Sequence, residues 1–120
     1  MKIKVVSVPV SDQDRAKEFY VEKLGFGVVF DNPHGPDKRW VMLTPPGGGT
    51  AITLVTWFPT MPPGSMKGLV YEVDDVDAVH AELSGKGLAV SAVETAPWGR
   101  HATLDDPDGN GIVLQEYPKS

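Results

Sequence analysis

A chain of 120 residues with 41% hydrophobic and 22% charged content has the size and balance of one globular domain. Its net charge of −5 argues against nucleic acid and anionic membrane as partners, and the lack of cysteine excludes disulfides, thiolate metal sites and cysteine nucleophiles. Two lysines before an apolar run resemble the start of a signal peptide, but the run alternates with polar residues and meets Ser11, Asp12 and Asp14 at once, so a first strand in a cytoplasmic protein is expected.

That strand spans residues 3–10. Ser11 or Asp12 then caps a helix by accepting from the free N–H groups of its first turn. Ala16, Phe19, Tyr20 and Leu24 recur at helical spacing until Gly25 stops it. Extended runs follow at residues 27–31, 39–44 and 50–57, with His34 in the loop NPHGPDKR as a rim or surface residue. The glycines of TPPGGGT have neither the Gly-Lys-Ser/Thr nor the following helix of a phosphate cradle, and read as a hairpin tip. FPTMPPGSMK, residues 58–67, is a connector stiffened by three prolines.

The second half repeats the first. A strand at residues 69–73 leads to Asp74 or Asp75 as a cap, then to a helix striped by Val76, Val79 and Leu83. His80 lies on that helix as a surface residue, and Gly85 or Gly87 ends it. Runs at residues 89–94, 100–104 and 111–117 complete the copy. Laying Val10 on Val73 brings Asp12 onto Asp75, Asp14 onto Asp77 and Lys23 onto Lys86. Before the last run, DDPDGN lacks the alternating oxygen ligands and closing carboxylate of a calcium loop. Asp106–Asn110 is therefore a tight turn, with Gly109 supplying a positive φ. The expected fold is α+β: two βαβββ units (residues 1–57 and 68–118, joined by 58–67) forming a curved mixed sheet with helices outside and a cup within.

The paired units, the strand-to-helix passages VPVSDQDRAKEFYVEKLGF and VDDVDAVHAELSGKG, and the terminal DPDGNGIVLQEY resemble the vicinal oxygen chelate superfamily, which includes glyoxalase I, extradiol dioxygenases and bleomycin resistance proteins. The resemblance implies a single domain, a homodimer, and in the enzymes a divalent metal held by four inner strands. Carried onto this chain, the four ligand positions fall at Val5, Thr53, Gly68 and Val113. Hydrocarbon, glycine and one hydroxyl offer a cation almost nothing. Moving the last strand by two residues would substitute Gln115, yet Val5 and Gly68 would still donate nothing. No cofactor is therefore expected, with a divalent metal as the alternative.

A cup so lined suits a small, partly aromatic or apolar molecule. Trp40, Trp57 and Trp98 stand near its expected mouth, and with Thr53, His101 and Gln115 they are the candidate ligand contacts. Arg39 and Arg100 adjoin two of the tryptophans, either to bind a ligand carbonyl or to form surface ion pairs. Three functions follow. The first is metal-independent binding, as in drug sequestration. The second is an enzyme of lyase, dioxygenase or isomerase type, using atypical metal ligands or His101 or Glu72 as an acid–base group. The third is a scaffold with a vestigial cup.

Overall fold

The alternating runs build two four-stranded sheets in the computed structural model, which describes residues 1–33 and 38–118. His34 lies outside the described residues. The first sheet has the order β1-β4-β3-β2, from strands β1 (Val5–Pro9), β2 (Gly27–Pro33), β3 (Arg39–Thr44) and β4 (Ala51–Val55). The second has the order β5-β8-β7-β6, from β5 (Leu69–Glu72), β6 (Glu94–Ala96), β7 (Gly99–Asp105) and β8 (Gly111–Glu116). In each sheet one parallel pair, β1 with β4 or β5 with β8, continues into antiparallel neighbours. The result is the expected α+β architecture, with one four-stranded mixed sheet in each half of the chain.

The chain divides into two compact units. One is Met1–Met66 together with Asp106–Asn110, and the other is Lys67–Asp105 with the strand that begins at Gly111. In the first unit, helix α1 (Gln13–Glu18) is capped by Asp12, whose carboxylate accepts from the N–H groups of Asp14 and Arg15. The helix does not keep its 3.6-residue period. It widens into a π-helical turn over Phe19–Lys23, where the Leu24 N–H reaches back five residues to the Phe19 carbonyl. The widening turns Phe26 onto Tyr20, with ring centroids 5.3 Å apart, so Phe26 and not Leu24 completes the buried side. Val8, Val41, Leu43, Ile52 and Leu54 supply the sheet side of that core.

Strand β2 extends beyond its expected end at Asp31 because a bulge between Val28 and Phe30 resets its register with β3. It brings Asp31 opposite Val41, where the Asp31 carboxylate accepts from Arg39 at 2.8 and 2.7 Å and from Lys17 at 2.7 Å. Arg39 also holds Asp14, so the ion-pair reading of this arginine is the one the fold realises. Arg39 first, and Lys17 second, hold the Asp31 carboxyl well below the usual carboxylate range. A depressed folded-state pKa stabilises the fold above the unfolded value of about 3.9, and that contribution is lost as pH falls below it. Asp31→Asn should therefore cost about 1–2 kcal/mol at neutral pH, and the gap from wild type should narrow steadily below about pH 4. Urea denaturation of both proteins across that range measures it, and a gap independent of pH would contradict the account.

In the second unit, helix α2 (Val76–Gly85) is capped twice: Asp75 accepts from the Ala78 N–H, and Glu116 from the Val76 N–H. Gly87, at φ 86°, ends it. His80 is half-buried on this helix. Arg100 pairs with Asp77 of α2, so it too is engaged away from any ligand. The strand expected at residues 89–94 is much shorter. The strand itself covers only Glu94–Ala96: farther back the Ser91 N–H donates to the Thr103 carbonyl at 2.9 Å, but the Ser91 hydroxyl takes the Thr103 N–H at 2.8 Å and so interrupts the backbone ladder.

The Asp106–Asn110 turn closes as expected, with Gly109 at φ 93°, and it packs within the first unit. Its side chains do more than turn the chain. The buried Asp106 carboxylate accepts from the Tyr20 hydroxyl at 2.9 Å, from the Asn110 side-chain amide at 2.8 Å, and from the N–H groups of Asp108 and Asn110 at 2.9 Å. Asn110 also donates to the Pro9 carbonyl at 2.8 Å and accepts from the Met66 N–H at 3.1 Å. Gly64 lies so close that an added Cβ would fall 2.2 Å from the Asp108 carbonyl oxygen.

Candidate functional site

Side chains alternate across a strand, so register decides which residues share a face. In the first sheet, one row runs Ser7, Thr53, Met42, Phe30 across four strands, with Val5 and Trp40 on the same face. The opposite face carries Val41 and Asp31 and faces α1 through the Lys17–Asp31 pair. Trp40 thus stands on the helix-free face. The Trp57 ring packs edge-on against it with centroids 5.0 Å apart, and Phe58 continues the cluster 6.1 Å from Trp57. Both tryptophans are half-buried, while Phe58 is 41% exposed. The Lys38 ammonium lies over the Trp57 ring, 5.9 Å from its centroid.

In the second sheet, the helix-free face carries a polar row. Glu72 of β5 stands beside Gln115 of β8, Gln115 beside His101 of β7, and His101 beside Glu94 of β6. His101 Nε2 lies 3.6 Å from the Glu94 carboxylate, and its Nδ1 is buried without a hydrogen-bond partner among the described residues. Gln115 is buried, and its amide nitrogen donates to the carbonyls of Trp98 and Glu116. Trp98 itself, at the tip of the β6–β7 hairpin, is 61% exposed. An imidazole flanked by a carboxylate can accept or pass on a proton, and exposed Glu72 adds a second acceptor to the row.

Each sheet therefore gathers part of the set expected from sequence. Trp40, Trp57 and Thr53 share the first unit, and His101, Gln115, Glu72 and Trp98 the second. Thr53 is only 3% exposed and lies 3.4 Å from the Ser7 hydroxyl, so it presents little to a ligand. Lys38, Phe58 and Glu94 join these clusters without having been singled out in the sequence. A hollow of about 330 Å³ in the second unit, between Leu88–Ala89, Ser91 and β7, is lined by none of the expected residues.

The positions that hold metal in the chelate enzymes test directly whether a cation fits. Val5 and Thr53 occupy the helix-free face of the first sheet, Val113 that of the second, and Gly68 lies just before β5. Only the Thr53 hydroxyl carries an oxygen, and it is buried beside Ser7. Among the described residues no three His, Asp or Glu side chains cluster as metal ligands. This donor set does not fit a divalent cation. Among the described residues, no helix is long and apolar enough to cross a membrane.

The fold and these sites can be set beside known proteins. The solved structure of TnmS3, an antibiotic binding protein from Streptomyces sp. CB03234, superposes with a TM-score of 0.93 at 48% identity, covering 98% of this chain and 97% of that one. A glyoxalase/bleomycin resistance protein from the same organism superposes with a TM-score of 0.86 at 51% identity, covering 94% of this chain and 98% of that one. The uncharacterized protein YetH of Bacillus subtilis (strain 168) is 30% identical over 123 residues, covering 96% of this chain and 98% of its own. The family model for the Glyoxalase/Bleomycin resistance protein/Dioxygenase superfamily matches residues 2–114. With that match running from before β1 into β8, the last strand of the second unit, the chain belongs to the Glyoxalase/Bleomycin resistance protein/Dioxygenase superfamily.

Proposed function

We propose that this protein binds a small, partly aromatic molecule without a metal ion, in the manner of a drug-sequestering protein. The observation that carries the reading is the Trp40–Trp57–Phe58 cluster beside a sheet face where Val5 and the buried Thr53 hydroxyl stand at the expected ligand positions. Half-buried indoles beside an exposed phenyl ring offer a ligand ring edge and face contacts at once. The similarity to an antibiotic binding protein, at 48% identity, supports the same reading. Pairing of two copies is part of the proposal and rests on family resemblance, and light scattering reads the mass.

Thermal-shift screening of the metal-stripped protein against aromatic antibiotics tests it. A ligand at one hundred times its Kd adds about 2.7 kcal/mol of stability, a shift that is readily seen. Trp40→Ala should weaken the binding of a hit roughly tenfold or more, because it removes one ring and the support of the other. Stoichiometric uptake of zinc, nickel, manganese or iron(II), with binding that requires it, would overturn the metal-free part. His101 beside Glu94 favours a second reading, proton transfer on the bound molecule. Recovery of the ligand chemically unchanged supports binding alone. Conversion that disappears in His101→Asn would establish the second reading instead.

A further inference from the structure

We propose that Lys38 sets the charge preference of the aromatic cluster, so that the ligand class is an aromatic molecule carrying a group ionised to an anion at neutral pH, such as a sulfonate, carboxylate or acidic phenol. The inference rests on the proposal that the Trp40–Trp57 cluster binds an aromatic ring. Lys38 is exposed, and its ammonium stands 5.9 Å from the Trp57 centroid. Among the described residues no carboxylate pairs with it. The nearby acids are committed elsewhere: Asp31 to Arg39 and Lys17, and Asp14 to Arg39, on the opposite face of the sheet. On the face that bears Trp40, the strands present Val5, Ser7, Thr53, Met42 and Phe30, with no carboxylate among the described residues. Among the described residues, the charge at the edge of this apolar surface is therefore positive.

The chain as a whole carries −5, which taken alone would favour a cation. Range decides between the two. Exposed charges are largely screened beyond a Debye length of about 8 Å at physiological ionic strength, so a charge a few ångströms from the bound ring outweighs the distant excess. A long lysine stem can lie along apolar surface while its ammonium swings to a substituent on the ligand. A neutral ring gains the stacking alone, and an anionic ring gains stacking and the ion pair.

Three probes with one ring system separate these terms: anthraquinone-2-sulfonate, the neutral 2-carboxamide, and a 2-(trimethylammoniomethyl) derivative, each titrated by quenching of tryptophan fluorescence at low and high salt. The sulfonate should bind about five- to tenfold tighter than the carboxamide, and the ammonium probe weaker than both. High salt should compress that spread. In Lys38→Met the ratio of sulfonate to carboxamide affinity should fall to within about twofold, while Lys38→Arg should keep the preference. Binding of the carboxamide with no advantage for the sulfonate in the wild type would overturn this inference alone. So would a ratio unchanged in Lys38→Met. Failure of all three probes to bind would overturn the binding proposal as well.

Discussion

Replacing Asp106 with alanine is expected to lower stability by about 3–5 kcal/mol, read as a fall in the urea midpoint at unchanged m. The carboxylate is buried and accepts from four donors: the Tyr20 hydroxyl, the Asn110 amide, and the N–H groups of Asp108 and Asn110. Alanine leaves these donors facing hydrocarbon, and each unsatisfied buried donor costs about 1–3 kcal/mol before relaxation. Asparagine is the sharper comparison. Its carbonyl can still take the two backbone donors, but its NH2 then points at Asn110, whose own amide is fixed by donating to Pro9 and accepting from Met66. Asp106→Asn should therefore cost more than Tyr20→Phe, which removes the hydroxyl's bond to the carboxylate, worth about 1.5–3 kcal/mol. A loss below about 1 kcal/mol in the alanine variant would mean that the Asp106–Asn110 turn does not depend on this carboxylate.

The DPDGN stretch illustrates what a sequence can and cannot reveal. Its turn was legible because proline, aspartate and glycine at those spacings act on their own backbone. Its network was not, because Tyr20, Pro9 and Met66 are far away along the chain and only the fold brings them to it. The helix caps follow the same rule. Asp12 and Asp75 are local devices, each one of two adjacent cap candidates in the sequence, whereas Glu116, which also caps α2, reaches it from forty residues away. Two elements misled the reading for physical reasons. One inserted residue makes the π-helical turn, and apolar periodicity alone cannot separate Leu24 from Phe26 as the buried side chain. LAVSAVE alternates as a strand does, but the Ser91 hydroxyl competes with the ladder.

The candidate site divides in the same way. Tryptophans near strand ends could be named from sequence, but the 5.0 Å contact between Trp40 and Trp57 depends on the pairing of β3 with β4. Lys38 and Phe58 lie just outside β3 and β4 and carry no periodic signal, so only the packed ring cluster exposes them. The partnership of Glu94 with His101 likewise depends on the β6–β7 register. The paired strands put Glu116 and Glu72 on opposite faces: Glu116 caps α2, and exposed Glu72 stands on the helix-free face beside Gln115.

Gly99→Ala should cost about 3 kcal/mol or more and should loosen the polar row with it. Gly99 follows the Pro97–Trp98 turn at φ 126°, a conformation that a side chain adopts only under strain of about 1–2 kcal/mol. A Cβ there would lie 2.1 Å from the Glu116 carbonyl oxygen and 2.7 Å from the Gln115 amide nitrogen. The first is backbone of the neighbouring strand, and the second is tied to the carbonyls of Trp98 and Glu116. Relief therefore requires β7 to part from β8 near Arg100, or the hairpin to swing and give up the Trp98–Gln115 bond. Gly48→Ala provides the control, because Gly48 has φ 88° with nothing within 4 Å of the added Cβ, and so isolates the conformational strain. Thermal denaturation of both variants measures the difference, and a shift in the His101 NMR signals of Gly99→Ala reports the displaced row. Equal losses in the two variants would mean that the β7–β8 approach has room for a methyl group, and that the hairpin holds Trp98 and Gln115 more loosely than these distances imply.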